Sequence, residues 1–182
     1  LSGIDGYSFF FNGVDQDCDF TIDSDFDERS ASSPPLAAGS SYFHVCAVDL
    51  AGNWGAVTTG GPYTIDLSAP RVANLDSVAT SGGAIGEGEV VNVAITQLLV
   101  SFDEAMDATL TENTGNYLLI FGGNDGTLDT VACGPLQGDD QSLSIDSATY
   151  AGQASTLSVN GATALTDGTY RLLVCGSLED VA

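Results

Sequence analysis

Residues 41–50 read Ser-Tyr-Phe-His-Val-Cys-Ala-Val-Asp-Leu, and this run decides the fold class. In an extended chain successive side chains point to opposite faces, so every second residue of the run shares a face. The two sets are Phe43, Val45 and Ala47 on one face and Tyr42, His44, Cys46 and Val48 on the other. Alternation with a period of two favours a β-strand over a helix. The run therefore predicts a long strand.

The segments on either side of this run show the same pattern. Residues 5–12 read as a strand that ends at Asn12-Gly13, and residues 54–66 read as a third strand with an interruption at Gly60-Gly61-Pro62. Turn residues separate further strand candidates at 89–95, 98–102, 117–121, 127–133, 142–145, 156–159 and 169–175. Residues 104–113 are expected to form a short helical turn. We find no sustained helical periodicity, so the sequence predicts an all-β protein.

Residues 66–70, Asp-Leu-Ser-Ala-Pro, mark a candidate domain boundary. Pro70 forces the residue before it into an extended conformation, which suits a short, stiff linker. We therefore expect a first domain at 1–66 and a second at 67–182. The short strands of the second domain follow the pattern of a β-sandwich.

The charge of the chain excludes several partners. It has 182 residues with 25 Asp and Glu, three Arg and no Lys, which gives a formal net charge of -22. Such a chain repels phosphate backbones and anionic lipid surfaces, so neither nucleic acid nor a membrane surface is an expected partner. No segment is long and apolar enough to predict membrane insertion. With only 15% charged residues and 43% hydrophobic residues, the composition favours an extracellular β protein or one packed into an assembly.

Four cysteines allow three pairings. Two lie in each half of the chain, which favours Cys18 with Cys46 and Cys133 with Cys175. Each closed loop would contribute roughly 3.5–4 kcal/mol in the chain-entropy model. Four reduced, buried thiols are the alternative. No Cys-x-x-Cys or Cys/His cluster indicates zinc.

The acidic residues near the N-terminus form the strongest chemical motif. Two Asp-x-Asp-x-Asp triplets follow each other, with members Asp15, Asp17, Asp19, Asp23, Asp25 and Asp27. Alternate spacing on an extended chain directs three carboxylates to one side, where a cation would relieve their repulsion. Calcium accepts six to eight oxygen ligands and tolerates such loops, so calcium is a candidate cofactor. The motif is not an EF-hand, and a solvated acidic loop is the alternative.

Other polar residues have structural interpretations. Asp49 and Asn53 are expected to shape a tight turn through hydrogen bonds from side chain to backbone. Asp66 suits a turn or cap, with an interdomain cation site as the alternative. For Asp103, Glu104 and Asp107, a turn or first-helical-turn role is favoured over metal binding. We assign no catalytic residue, because nothing in the sequence activates His44, the only histidine.

Several segments of the chain resemble known repeats. Residues 2–7, 42–53 and 61–66 resemble fibronectin-III/Ig-like repeats of bacterial surface proteins. Residues 99–107, 113–117 and 165–174, with 178–182, resemble the bacterial Ig-like domain of S-layer and adhesin-type proteins. The resemblance implies two tandem Ig-like β-sandwiches. In such repeats the motif at residues 2–7 lies in about the third strand, so the first domain would lack its first strands.

The resemblance also implies a function. The chain would be a non-catalytic structural module of an extracellular or cell-surface protein: an adhesin stalk, an S-layer component or a fibre subunit. Its partners would be other copies or neighbouring domains of the same surface protein. An accessory polysaccharide-binding module of a secreted enzyme is the alternative, for which Trp54, Tyr42 and Tyr63 are the candidate aromatics.

The absent strands carry a further expectation. Without them a half-open core would be lined by Phe9, Phe11, Phe43, Val45 and Ala47. The missing strands would come either from upstream sequence or from another copy by strand complementation.

Overall fold

The structure is a computed structural model, and it describes residues 3–28, 30–79 and 82–181. Antiparallel strands make up most of the regular structure, so the all-β prediction is confirmed. Contacts within the chain divide it into two compact units between Ser68 and Ala69. We call the first of them unit 1 and the second, Ala69–Val181, unit 2.

Unit 1 is built around one four-stranded antiparallel sheet. Its strands are β1 (Ile4–Asn12), β2 (Ser24–Asp25), β3 (Gly39–Asp49) and β4 (Thr58–Ile65), in the order β2-β1-β3-β4. All four strands described for this unit belong to this sheet. The expectation of two tandem sandwiches therefore stays a prediction for unit 1.

The register of β1 against β3 gives this sheet two different faces. Phe9 pairs with Val45, and Phe11 pairs with Phe43. One face, which we call the aromatic face, carries the half-buried Tyr7, Phe9, Phe11, Phe43, Val45 and Ala47. The other, which we call the loop face, carries Ser8, Phe10, Asn12, Tyr42, His44, Cys46 and Val48. The alternation predicted for residues 42–48 is confirmed by this register.

Gly6 allows a loop to approach β1 closely. A Cβ atom at this position would lie 2.7 Å from Cγ2 of Ile22 and 2.8 Å from the main-chain oxygen of Ser24. Both distances are shorter than a van der Waals contact, so a larger residue would displace the segment around Ile22. The absence of a side chain at Gly6 therefore allows the segment that contains Ile22 and Ser24 to pack directly against β1.

Unit 2 contains two sheets. In chain order its strands are β5 (Val72–Asp76), β6 (Gln97–Phe102), β7 (Tyr117–Phe121), β8 (Gln141–Leu143), β9 (Ile145–Ala151), β10 (Ala154–Val159) and β11 (Tyr170–Val174). One sheet has the order β5-β6-β10-β9 and the other β11-β7-β8. A short helix, α1 (Ala108–Thr111), and 3-10 turns at Thr114–Asn116 and Asn160–Ala162 connect them.

The core of unit 2 lies between its two sheets. Val100 of β6 and Leu157 of β10 are fully buried in one cluster with Leu119 of β7. Burial of each such side chain contributes roughly 1.5–3 kcal/mol. Two sheets with their apolar faces in a common core form a β-sandwich, as predicted for this part of the chain.

Some strand predictions are wrong. Residues 89–95 are irregular: Ile95 is buried in the core while Val90 is 94% exposed, so the segment packs without pairing as a strand. Residues 127–133 are also irregular, because the Thr130 N–H donates to the Asp140 carboxylate instead of to a strand. The strand predicted from Trp54 begins only at Thr58, and β2, β5 and β9 were not predicted.

Within the described residues, no helix has the length and apolar character needed to cross a membrane.

Candidate functional site

The acidic segment, which we define as residues 13–28, is fastened to the loop face of unit 1 by a disulfide. Cys18 and Cys46 are bonded with an S–S distance of 2.00 Å, and both are buried. The second predicted pair, Cys133–Cys175, is bonded as well, and no described cysteine is free. The predicted pairing is thus confirmed. Two such bonds indicate an oxidising compartment.

Three of the six aspartates act as hydrogen-bond acceptors that hold the acidic segment in place. Asp19 Oδ1 accepts from the Ser8 hydroxyl at 3.0 Å and from the Thr21 N–H at 2.9 Å. Asp23 accepts from the Phe9 N–H of β1 at 2.8 Å. Asp15 accepts from the hydroxyl of Thr59 in β4 at 3.0 Å. The segment is therefore pinned to β1 and β4 by side-chain oxygens.

These contacts affect the acidity of Asp19. The backbone N–H of Thr21, followed by the Ser8 hydroxyl, lowers the pKa of the Asp19 carboxyl below its ordinary value. The ionised form is thus the one that the local structure stabilises.

The remaining members of the two triplets are Asp17, Asp25 and Asp27, all exposed to solvent. Asp25 lies in β2, opposite Gly6. In residues 3–28, 30–79 and 82–181, no group of three or more His, Cys, Asp or Glu side chains is arranged to hold a metal ion. The structure does not bring the six aspartates together, and the calcium site stays a prediction.

His44 lies at the centre of the loop face with no exposed surface. Its Nε2 atom contacts the Val14 main-chain oxygen at 3.1 Å and Oδ1 of Asn12 at 3.2 Å. Its Nδ1 atom lies 3.1 Å from the Thr59 hydroxyl and 3.8 Å from Oδ1 of Asp15. Both ring nitrogens are thus used in structural contacts.

The ring of His44 also stacks on Phe10, with centroids 4.7 Å apart and planes inclined by 21°. Sequence reasoning missed Thr59 and Asn12 as its partners, since they lie 15 and 32 residues away. Only the pairing of β3 with β4 brings Thr59 opposite His44.

The aromatic face has a different character. Phe43 lies between Phe9 and Phe11, with ring centroids at 6.4 Å and 5.0 Å. These rings and Val45 are half-buried, whereas Val100 and Leu157 in the sandwich of unit 2 are fully buried. The residues predicted to line a half-open core therefore share one half-buried apolar face of β1 and β3, and the absence of covering strands stays a prediction.

A second aromatic pair lies at the acidic segment. Phe20 meets Trp54 edge to face, with centroids 5.7 Å apart and planes inclined by 70°. Phe20 is 56% exposed and has φ of 61°, a left-handed conformation that is uncommon for an aromatic residue. Trp54 is half-buried and forms an isolated bridge with Val48. No sequence pattern indicated that Phe20 would be its partner.

The other polar residues singled out in the sequence have structural contacts. Asp49 Oδ1 accepts from the N–H groups of Ala51 and Asn53, both at 2.9 Å, which confirms the predicted turn. Asp66 accepts from the Ser68 N–H, which lowers the pKa of Asp66 below its ordinary value.

The acidic cluster of unit 2 is used in the same way. Asp107 caps α1 by accepting from the Leu110 N–H at 2.9 Å, and Asp103 accepts from the Arg71 N–H at 2.8 Å. Turn and capping roles are therefore observed for these two residues.

A buried carboxylate in unit 2 was not predicted. Asp140 is 7% exposed, and its Oδ2 accepts from the Thr130 N–H at 2.6 Å. The Thr130 hydroxyl, then the N–H groups of Thr130 and Asp129 and the charge of Arg171, lower the pKa of Asp140 against the opposing effect of burial. Arg171 also donates to the Thr130 main-chain oxygen at 2.9 Å. These contacts fasten the loop that contains Cys133 to β11.

Comparison of the chain with protein-family models, with curated proteins and with solved structures found no match. The resemblance to bacterial surface repeats therefore stays a prediction.

Proposed function

We propose that this chain is a non-catalytic structural module of an extracellular bacterial surface protein, such as an adhesin stalk, an S-layer component or a fibre subunit. The half-exposed aromatic face of unit 1 carries the proposal. A sheet with one apolar face needs a second layer to bury it, and the sheet of unit 1 has Phe9, Phe43 and Val45 only half-buried. Neighbouring domains or other copies of the same surface protein supply that layer.

The disulfides support the location. Bonds such as Cys18–Cys46 and Cys133–Cys175 form and persist in secreted and cell-surface proteins. Each bond also closes a loop onto a sheet, because Cys46 lies in β3 and Cys175 directly follows β11. Loops fastened in this way suit a module that must keep its shape outside the cell.

The use of the polar side chains supports a structural role. A catalytic histidine needs a ring nitrogen that can reach a substrate, whereas His44 is fully buried with both nitrogens in contact with protein atoms. Asp19, Asp23 and Asp107 likewise serve as acceptors for backbone N–H groups or neighbouring hydroxyls.

Mechanical unfolding of the single oxidised chain tests this function. A load-bearing module is expected to unfold at a higher force when its disulfides are intact than after reduction. The bonds span 28 and 42 residues, so reduction should lengthen the unfolded chain by about 10 and 14 nm, at roughly 3.4 Å per residue. Equal unfolding forces before and after reduction would contradict a load-bearing role.

The Phe20–Trp54 pair favours a second candidate, an accessory polysaccharide-binding module. Exposed aromatic rings beside carboxylates and amides are suited to sugar rings, and Phe20 is held exposed in a strained conformation. Titration with soluble polysaccharides tests this candidate. Trp54→Ala should abolish binding, whereas Val90→Ser, at an exposed side chain of unit 2, should leave it unchanged.

A further inference from the structure

The aromatic face of unit 1 opens into two adjoining cavities. One, of about 310 Å³, has Phe9, Phe43 and Val45 in its lining together with Glu28. The other, of about 670 Å³, has Ile4, Asp5 and Leu50 in its lining. Tyr7 lines both cavities, so they meet at this ring. We call the combined depression the unit 1 groove.

The groove combines an apolar floor with an acidic rim. Asp5 and Glu28 are the charged residues of its described lining, and both are exposed. Unit 1 as a whole is acidic as well, since residues 1–68 contain ten Asp and Glu residues and one arginine, Arg29, which lies outside the described residues. A ligand that carries positive charge beside apolar groups matches both properties.

The shape of the face favours an extended polypeptide. Apolar side chains on β1 and β3 stand in two rows, and an extended segment directs every second side chain to the surface on which it lies. Addition of a strand at the β4 edge is less favourable. Pro62 lacks an N–H group there, and the register against β3 shifts between Ser41 and Phe43.

We propose that the unit 1 groove binds an extended polypeptide segment in which apolar residues alternate with lysine or arginine. This inference rests on the proposed function and specifies the chemistry of the neighbour that covers the aromatic face. A second copy of this chain does not fit, because it has no lysine and its three arginines, Arg29, Arg71 and Arg171, are far apart in sequence. The neighbour is therefore a different segment with a basic, alternating pattern.

Binding of synthetic nine-residue peptides with blocked termini, measured by calorimetry on the full oxidised chain, tests the inference. The probe alternates Val and Lys. One matched peptide alternates Ser and Lys, which keeps the charge, and another alternates Val and Glu, which keeps the apolar residues. Saturable binding of the Val-Lys peptide, at least about tenfold tighter than either matched peptide, is expected.

Variants of the chain locate the site. Phe43→Ser should weaken binding of the Val-Lys peptide by about tenfold or more, and Glu28→Gln by about threefold with a smaller dependence on salt. Val90→Ser and Glu87→Gln remove an exposed apolar group and an exposed carboxylate from unit 2, and both should leave affinity unchanged. Val45→Thr is a milder substitution on the same face and should weaken binding even if Phe43→Ser unfolds unit 1.

Three results would overturn the inference. The first is equal binding of the Val-Lys and Ser-Lys peptides, and the second is equal binding of the Val-Lys and Val-Glu peptides. The third is self-association of the chain that Val45→Thr abolishes in sedimentation velocity. That last result would still support the structural function, because a second copy would then be the covering layer. If the mechanical unfolding experiment contradicted a load-bearing role, peptide binding to the unit 1 groove could still be measured. The two proposals can therefore fail separately.

Discussion

The Nε2 atom of His44 lies 3.1 Å from the main-chain oxygen of Val14, so the only histidine of the chain holds the beginning of the acidic segment against β3. A second oxygen, Oδ1 of Asn12 in β1, lies 3.2 Å from the same nitrogen. The buried ring thus joins β1, β3 and β4 with the segment that follows β1.

Replacement of His44 by Phe is expected to destabilise unit 1 by about 1–3 kcal/mol, because the Val14 oxygen loses its donor. The aromatic ring keeps the stacking on Phe10, so the change isolates the polar contacts. Urea unfolding of the oxidised chain measures the effect. Thr59→Val removes the contact to Nδ1 and the hydroxyl that donates to Asp15, but it keeps the contact with the Val14 oxygen and should cost less. A change below about 0.5 kcal/mol in His44→Phe would contradict a structural role for the ring.

The disulfides give a second prediction. Alkylation of the native chain without reductant should modify none of the four cysteines, and peptide mapping should find Cys18 with Cys46 and Cys133 with Cys175. The double change of Cys18 and Cys46 to Ala should lower the free energy of unfolding by roughly 3.5 kcal/mol, the loop-entropy value for a span of 28 residues. Alkylation of all four cysteines in native material would contradict both bonds.

The sequence predicted what depends on local pattern. Alternation at residues 42–48 placed Phe43 and His44 on opposite faces, and their observed pairing with Phe11 and Phe10 follows from the same period of two. The Asp49–Asn53 turn was predictable because its hydrogen bonds span only two to four residues. The distribution of cysteines was sufficient to favour the observed pairing.

What the sequence did not predict depends on distant partners. The β-prone residues 89–95 do not pair, because Val93 and Ile95 reach the core from an irregular backbone. The contact of His44 with Thr59 depends on the register of β3 against β4. The buried position of Asp140 depends on the Thr130 N–H, which lies ten residues away in the sequence. The alternation of aspartates in the sequence also does not show which carboxylates accept hydrogen bonds from backbone N–H groups and which are exposed to solvent.

Calcium binding by the acidic segment remains testable. If the site exists, millimolar calcium should raise the melting temperature relative to a chelator, in a concentration-dependent way. Asp17→Asn with Asp25→Asn should blunt the shift, since both side chains are exposed. Asp23→Asn serves as the comparison variant. Asp23 accepts a hydrogen bond from the Phe9 N–H, so this change should lower the melting temperature even without calcium. Identical melting curves in chelator and calcium would leave only a structural acidic loop.

The lowered pKa values of Asp19, Asp66 and Asp140 predict the direction of acid sensitivity. A carboxyl whose pKa is lower in the folded chain than in the unfolded chain stabilises the fold above its unfolded value, about 3.8. That contribution is lost as the pH falls through the folded pKa. The contribution of these three carboxyls to the free energy of unfolding should therefore stay nearly constant from pH 7 to about pH 5. It should decrease as the pH drops below about 4.

Asp140→Asn tests this linkage in unit 2. The variant should be less stable than the native chain at pH 7, because a neutral side-chain amide is a weaker acceptor for the Thr130 N–H and leaves Arg171 without its neighbouring charge. Its stability should fall less steeply in acid, so the two curves of unfolding free energy against pH should converge below about pH 4. Glu87→Gln removes an exposed carboxylate and should give a curve parallel to the native one. Curves for Asp140→Asn and the native chain that stay parallel down to about pH 2 would show that Asp140 does not contribute to the acid transition.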